Sequence, residues 1–268
     1  KNYKTIIAEL NRENFMRVQM ITREVSGEIN SSSGGLVSLE GGATINFPDN
    51  AFVDESGQSY SGNVRVYGHW FDPSSREFTT SMPGDLRAID AESQLAQLAT
   101  FGMMAVELES SSGQKLQLAD EKPATLSFPV PTELASEAPA TIKTWSLQET
   151  VSTSAYWIEE DEAELVDGKY VAEVSHFSFW NCDAPFPVVE IYGKLVDQDG
   201  NPLPWYSICI TAFANSITGY GWTDNQGGFR GKVPKGEELT FNVKDECGTV
   251  IFSQQIGPFT TPVSLGEI

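Results

Sequence analysis

The run Ser175-His176-Phe177-Ser178-Phe179-Trp180-Asn181-Cys182-Asp183 carries one of the chain's two histidines, two residues before a serine. An imidazole with an unperturbed pKa of about 6.5 is suited to taking a proton from a hydroxyl. In this order the chemistry is self-directed. Ser178 Oγ would attack the carbonyl carbon of Phe177 while His176 takes the hydroxyl proton. The C–N bond of Phe177–Ser178 would then break, the amine leaving with that proton, and water would hydrolyse the ester. Such an N-to-O acyl shift needs a strained peptide and donors for the developing oxyanion. Residues two apart in a strand share one face, so His176 and Ser178 can meet. The same run also fits a buried last strand, with Phe177, Phe179 and Trp180 packing and the two polar side chains bonding locally.

Other polar groupings are weaker. Glu159-Glu160-Asp161-Glu162 reads as the solvated tip of a hairpin, since a cation loop needs interspersed glycine and defined ligand spacing. Asp197-Gln198-Asp199-Gly200-Asn201 begins like a calcium loop. Its sixth position is Pro202 and its twelfth is no glutamate, so it reads as a turn. Asp85, Arg87 and Asp90 form a candidate ion-pair cluster near a loop. Trp145, Trp157, Trp205, Tyr206, Tyr220 and Trp222 are candidate stacking platforms for a glycan, although such aromatics also build cores. No catalytic acid pair toward an external substrate emerges, and neither a cofactor nor a metal is expected.

The three cysteines are too few for a disulfide-dense scaffold and lack zinc spacing. Cys209 alternates with Ile208 and Ile210 and reads as a small buried hydrophobe. Cys182 and Cys247 both stand beside acids and turn residues. A disulfide between them would suit an oxidising compartment; the alternative is three free thiols.

The elements that must position these groups are strands. Asn63–Tyr67, Ala105–Glu109, Lys115–Leu118 and Ala124–Val130 alternate apolar and polar residues, which puts one face in a core and one in water. Turn pairs such as Gly34-Gly35, Ser112-Gly113, Asp167-Gly168 and Asp199-Gly200 punctuate them, as in sandwiches or barrels. The best helical candidate, Ala91–Leu98, is too short for more than a turn or two. Phe101–Val106 reads as core rather than as a binding stripe.

The chain has 268 residues with 40% hydrophobic residues, enough for one large or two moderate domains. A net charge of −20 repels nucleic-acid phosphates and anionic membrane surfaces. No apolar run reaches the roughly 18 residues of a membrane-spanning helix, so direct membrane insertion is not expected. The opening Lys1-Asn2-Tyr3, without methionine, reads as the interior of a longer precursor. Four segments are predicted: a strand segment over 1–27, the tail of a preceding module; a β-sandwich over 28–183; a Pro-rich hinge over 184–187; and a second β-sandwich over 188–268.

Two resemblances sharpen this. Gly34-Gly35-Leu36 through Ile45-Asn46-Phe47-Pro48-Asp49-Asn50-Ala51-Phe52 resembles the opening of a ZU5-type domain, and Thr125-Leu126-Ser127-Phe128-Pro129 is similar to that family's later strand-then-proline element. In some ZU5-type domains a His-Phe-Ser triplet in a late strand is a self-cleavage site between Phe and Ser. The resemblance thereby implies roles for His176, Phe177 and Ser178. In the C-terminal part, Gly193-Lys194-Leu195-Val196-Asp197 with Gly200-Asn201-Pro202-Leu203, Thr223-Asp224-Asn225-Gln226-Gly227-Gly228-Phe229 and Pro234-Lys235-Gly236 look like a carboxypeptidase regulatory-like domain. That transthyretin-type sandwich implies a spacer or binding scaffold on secreted and surface proteins, with no catalytic motif residue. The expectation is therefore an all-β, two-sandwich, extracytoplasmic scaffold of adhesion type with a protein or glycan partner. Self-processing and glycan binding are its rivals.

Overall fold

The computed structural model describes residues 20–75, 78–84, 86–136, 138–149, 155–212, 218–245 and 248–268. The chain divides into two compact units, Lys1–Pro185 and Phe186–Ile268. It is all-β: among the described residues, helix is confined to single turns at Glu40–Gly42, Phe78–Ser81 and Thr132–Leu134.

The first unit holds β1 (Gly27–Asn30), β2 (Gly35–Ser38), β3 (Thr44–Phe47), β4 (Phe52–Asp54), β5 (Asn63–Phe71), β6 (Arg87–Ile89) and β7 (Leu95–Ser110). It continues with β8 (Lys115–Leu118), β9 (Ala124–Pro129), β10 (Thr141–Glu149), β11 (Ala155–Val166), β12 (Lys169–Val174) and β13 (Phe179–Phe186). Their hydrogen bonds follow the order β1-β5-β7-β13-β10-β11-β12-β9-β3-β2, with β4, β6 and β8 branching from it. The two ends of that path, β1 and β2, are neighbours, so the sheet wraps around its main core.

The alternating segments do what their period requires. Val64 and Val66 of β5, and Ala124, Leu126 and Phe128 of β9, are buried in the main core. Over residues 101–104 the strand β7 is buried on both faces, which accounts for its apolar run there, and beyond them it alternates, with Glu107 exposed. Its Phe101, Met104, Val106 and Leu108 enter the main core, while Leu98 and Met103 join Trp145 and Trp157 in a second cluster.

Two local expectations are corrected. Residues 91–98 are no helix. Ala91–Ser93 form a turn between β6 and β7, with the Gln94 N–H donating to Asp90 Oδ1 at 2.6 Å and Ser93 at φ 62°. The three-residue spacing of Leu95 and Leu98 yields to pairing of β7 with β6. Glu159–Glu162 lie within β11 rather than at a hairpin tip, where Lys143 of the paired β10 bridges Glu159 at 3.1 Å and Glu162 at 3.2 Å. The boundary between the two units falls inside the expected hinge 184–187, and residues 184–186 are extended as the end of β13. Of the N-terminal segment 1–27, residues 1–19 lie outside the described residues. Within 20–26 no strand forms, and Ser26 ties to β5 through Val66 and Gly68.

The second unit holds β14 (Val188–Lys194), β15 (Ser207–Ala212), β16 (Thr218–Trp222), β17 (Gly228–Pro234), β18 (Leu239–Lys244), β19 (Val250–Ile256) and β20 (Val263–Glu267). One sheet has the order β17-β14-β20 and the other β16-β15-β18-β19. Val189, Ile191 and Val233 of the first sheet and Ile208, Leu239, Phe241 and Val243 of the second form the buried core. The outer face of the four-stranded sheet therefore carries the intervening residues in rows. Trp222 is registered with Ser207 and Lys244, and Cys209 with Asn242 and Ser253. Thr211, Thr240 and Gln255 make the third row.

Candidate functional site

The His-Phe-Ser triplet does not lie inside a strand. It occupies the bend between β12 and β13, because Phe177 turns inward to reach the main core. Its ring meets Phe47 edge-on with centroids 5.6 Å apart. The strand β8 closes over the bend: Gln117 Nε2 donates to the Phe177 carbonyl and the Phe177 N–H donates to Gln117 Oε1, both at 3.0 Å. The Val106 N–H donates to the Ser178 carbonyl at 3.3 Å. Trp180 Nε1–H donates to the His176 carbonyl at 3.0 Å.

The reactive side chains face other partners. Ser178 Oγ–H donates to the Phe179 carbonyl at 3.1 Å. His176 Nε2 stands 3.7 Å from Glu160 Oε1, and its ring lies 5.0 Å from that of Trp180. The structure thus brings His176, Phe177 and Ser178 into one bend, with imidazole and hydroxyl turned to different acceptors. Gln117 is the group that sequence reasoning missed. It stands 60 residues away in sequence, on an ordinary alternating strand, and no local pattern marks it.

The bend borders a cleft of about 250 Å³ lined by Val106, Gln117, Phe177, Lys115 and the acids Glu55, Glu107 and Glu109. Arg23 closes one side, bonding Glu107 at 2.8 Å and Glu109 at 2.6 Å with its guanidinium 3.6 Å from the Tyr67 ring centroid. Both carboxylates hold that guanidinium above its ordinary pKa. Among the described residues no cluster of His, Cys, Asp or Glu has a metal-holding arrangement.

Cys182 is a free thiol sealed in the main core, and burial pushes its pKa well up. Cys247, its expected disulfide partner, lies outside the described residues, as does Asp85 of the expected ion-pair cluster. Cys209 is also free and buried. Next to Cys182, the fully buried Asp183 accepts from Asn181 Nδ2 at 2.8 Å, and its Oδ1 has no hydrogen-bond partner among the described residues. Burial pushes this carboxyl well above the usual carboxylate range.

The aromatic platforms sort by burial. Trp145 and Trp157 are core residues at 0% and 1% exposure, Trp205 and Tyr206 are half-buried, and Trp222 is 54% exposed. The side chain of Tyr220 lies outside the described part of the structure.

In the second unit the motif residues build turns. Thr223 Oγ1 donates to the Leu203 carbonyl at 2.7 Å and accepts from the Tyr206 N–H at 2.9 Å. Asp224 Oδ1 accepts from the N–H groups of Gln226 and Gly228, both at 2.8 Å. Gly227 sits at φ 74°, where an added Cβ would lie 2.5 Å from the Leu195 carbonyl oxygen. Phe229 packs on Phe241 with centroids 5.4 Å apart. Asp197 Oδ1 accepts from the N–H groups of Asp199 and Asn201, so this string is an Asx-type turn.

No family model matches the chain. A stretch of 72 residues is 38% identical to part of human cartilage intermediate layer protein 2; it takes in 26% of this chain and 6% of that protein. Among solved structures, the Bacillus anthracis TIE protein is similar at a TM-score of 0.25 with 11% identity, over 95% of this chain and 73% of that one. BcpA, the major pilin subunit of Bacillus cereus, is similar at a TM-score of 0.25 with 10% identity, over 84% of each chain.

Proposed function

We propose that the protein is a non-enzymatic, extracytoplasmic scaffold of adhesion or spacer type, its first unit ZU5-like and its second carboxypeptidase regulatory-like. One observation carries this reading: the groups whose types suggest chemistry are engaged in holding the backbone. Both backbone groups of Phe177 are bonded to Gln117, and the Ser178 hydroxyl to the next carbonyl. Thr223 and Asp224 likewise cap a turn. The cartilage protein, named for an intermediate layer of cartilage, adds support for an extracellular setting of the matched stretch. Labelling of intact cells that carry the full-length protein, with a membrane-impermeant amine reagent, tests the location. Labelling confined to lysed cells would overturn it.

Self-cleavage at Phe177–Ser178 is the second reading. It is favoured by the Gln117 amide, which already donates to the carbonyl on which an oxyanion would form. The scaffold reading expects a single intact mass near 29.3 kDa for the wild type and for Ser178→Ala alike. Two fragments parted at Phe177–Ser178 in the wild type alone would establish cleavage instead.

A further inference from the structure

The four strands of the second unit's larger sheet contain no aspartate or glutamate, in a chain with 37 acidic residues. Its outer face holds Asn242, Ser253, Thr240 and Gln255 in adjoining rows, with Trp222 in the outermost row on the β16 edge. Amide side chains donate and accept at once, and hydroxyls do the same. An indole offers a broad apolar plate that is costly to leave in water. On β16, Gly219 and Gly221 are registered with the inward-facing Ile210 and Ile208, and Trp222 with Ser207 of the outer rows.

We infer that this face binds a neutral glycan, with Trp222 stacking on the C–H face of one sugar ring and the amide and hydroxyl rows bonding the hydroxyls of its neighbours. The chemistry matches on both counts. A pyranose has an apolar face and a rim of donors and acceptors, and the four strands set no carboxylate against it, Lys244 in the Trp222 row being their single charged residue. The charge of the rest of the chain works against anionic polysaccharides. It also works against a second copy of the same chain, which carries −20 as well.

This goes beyond the scaffold reading, which surface labelling tests separately. The experiment titrates the full chain with linear hexasaccharides of β-1,4-glucose, β-1,3-glucose, β-1,4-mannose and β-1,4-N-acetylglucosamine, and with a hyaluronan hexasaccharide. Binding is read by tryptophan fluorescence and calorimetry. At least one neutral sugar is expected to bind and hyaluronan is not. Trp222→Ala should weaken binding by about tenfold or more while Trp222→Phe keeps most of it. Circular dichroism confirms that both variants fold, as expected for an exposed side chain. The inference is overturned if no neutral sugar binds at millimolar concentration, if Trp222→Ala binds as tightly as the wild type, or if hyaluronan binds best. It is equally overturned if sedimentation shows a dimer that Trp222→Ala dissolves, since the face would then be an interface between copies.

Discussion

Gln117 and Phe177 exchange two hydrogen bonds of 3.0 Å, so one side-chain amide does for Phe177 what a neighbouring strand would do. The bend between β12 and β13 would otherwise leave a donor and an acceptor unpaired beside the core. Gln117→Leu removes both bonds. We expect a loss of about 1–2 kcal/mol in urea denaturation, since a partly buried group left unmade costs roughly that much. Gln117→Glu should also destabilise: it can accept from the Phe177 N–H but sets a carboxylate against the carbonyl. If both variants match the wild type, the exchange is not holding the bend.

Asp183 predicts a pH dependence. Its folded-state pKa is raised, chiefly by burial, while Thr100 and the Phe101 backbone pull it back less strongly. A carboxyl with a raised folded pKa binds its proton more tightly in the native state. Its contribution is therefore complete below the unfolded value of about 3.9 and is lost as pH rises through the folded pKa. Asp183→Asn cannot titrate. Its stability relative to the wild type should improve from pH 4 to pH 8, by about 1.4 kcal/mol for every tenfold by which folding tightens the proton's hold on Asp183. Parallel stability curves for the two proteins over that range would show that the buried acid does not titrate as described.

The strand pattern was readable because antiparallel strands with one wet face must alternate. Asn63–Tyr67, Ala105–Glu109, Lys115–Leu118 and Ala124–Val130 all lie on strands for that reason, apart from the residue that follows β9. Local spacing failed where long-range pairing decided the outcome. Leu95 and Leu98 match a helical period, yet β6 pairs with Leu95 and the Leu98 N–H donates to the Leu86 carbonyl just before β6. The acids 159–162 suggest a loop, yet Lys143 on β10 supplies the counter-charge that lets them stay in a strand. The candidate site was half readable. His176, Phe177 and Ser178 are adjacent in sequence, whereas their controlling partner, Gln117, is contiguous only in three dimensions.

Cys182 is expected to be inert. Its thiol lies in the main core and burial suppresses the thiolate, which is the reactive form. In the native protein a maleimide should leave Cys182 and the buried Cys209 unmodified, and in urea both should react. Peptide mapping under non-reducing conditions provides the counter-test. A Cys182–Cys247 linkage found there would replace the buried free thiol with the disulfide that the sequence suggested.

Two glycines of the second unit separate backbone strain from crowding. Gly200 and Gly227 both adopt left-handed conformations, at φ 80° and 74°. A Cβ added at Gly200 meets nothing within 4 Å, whereas at Gly227 it would lie 2.5 Å from the Leu195 oxygen and 3.0 Å from the Leu203 nitrogen. The Leu195 N–H also donates to the Gly227 carbonyl at 2.8 Å, so neither segment can recede without losing that bond. Gly200→Ala should cost about 1–2 kcal/mol, the conformational penalty alone. Gly227→Ala carries the same penalty plus the clash and should be the more damaging by at least about 1 kcal/mol. Urea denaturation of the two variants side by side decides it. Equal midpoints would mean that the turn after Asp224 yields to the methyl group, and that its tight seat on Leu195 is not what fixes the start of β17.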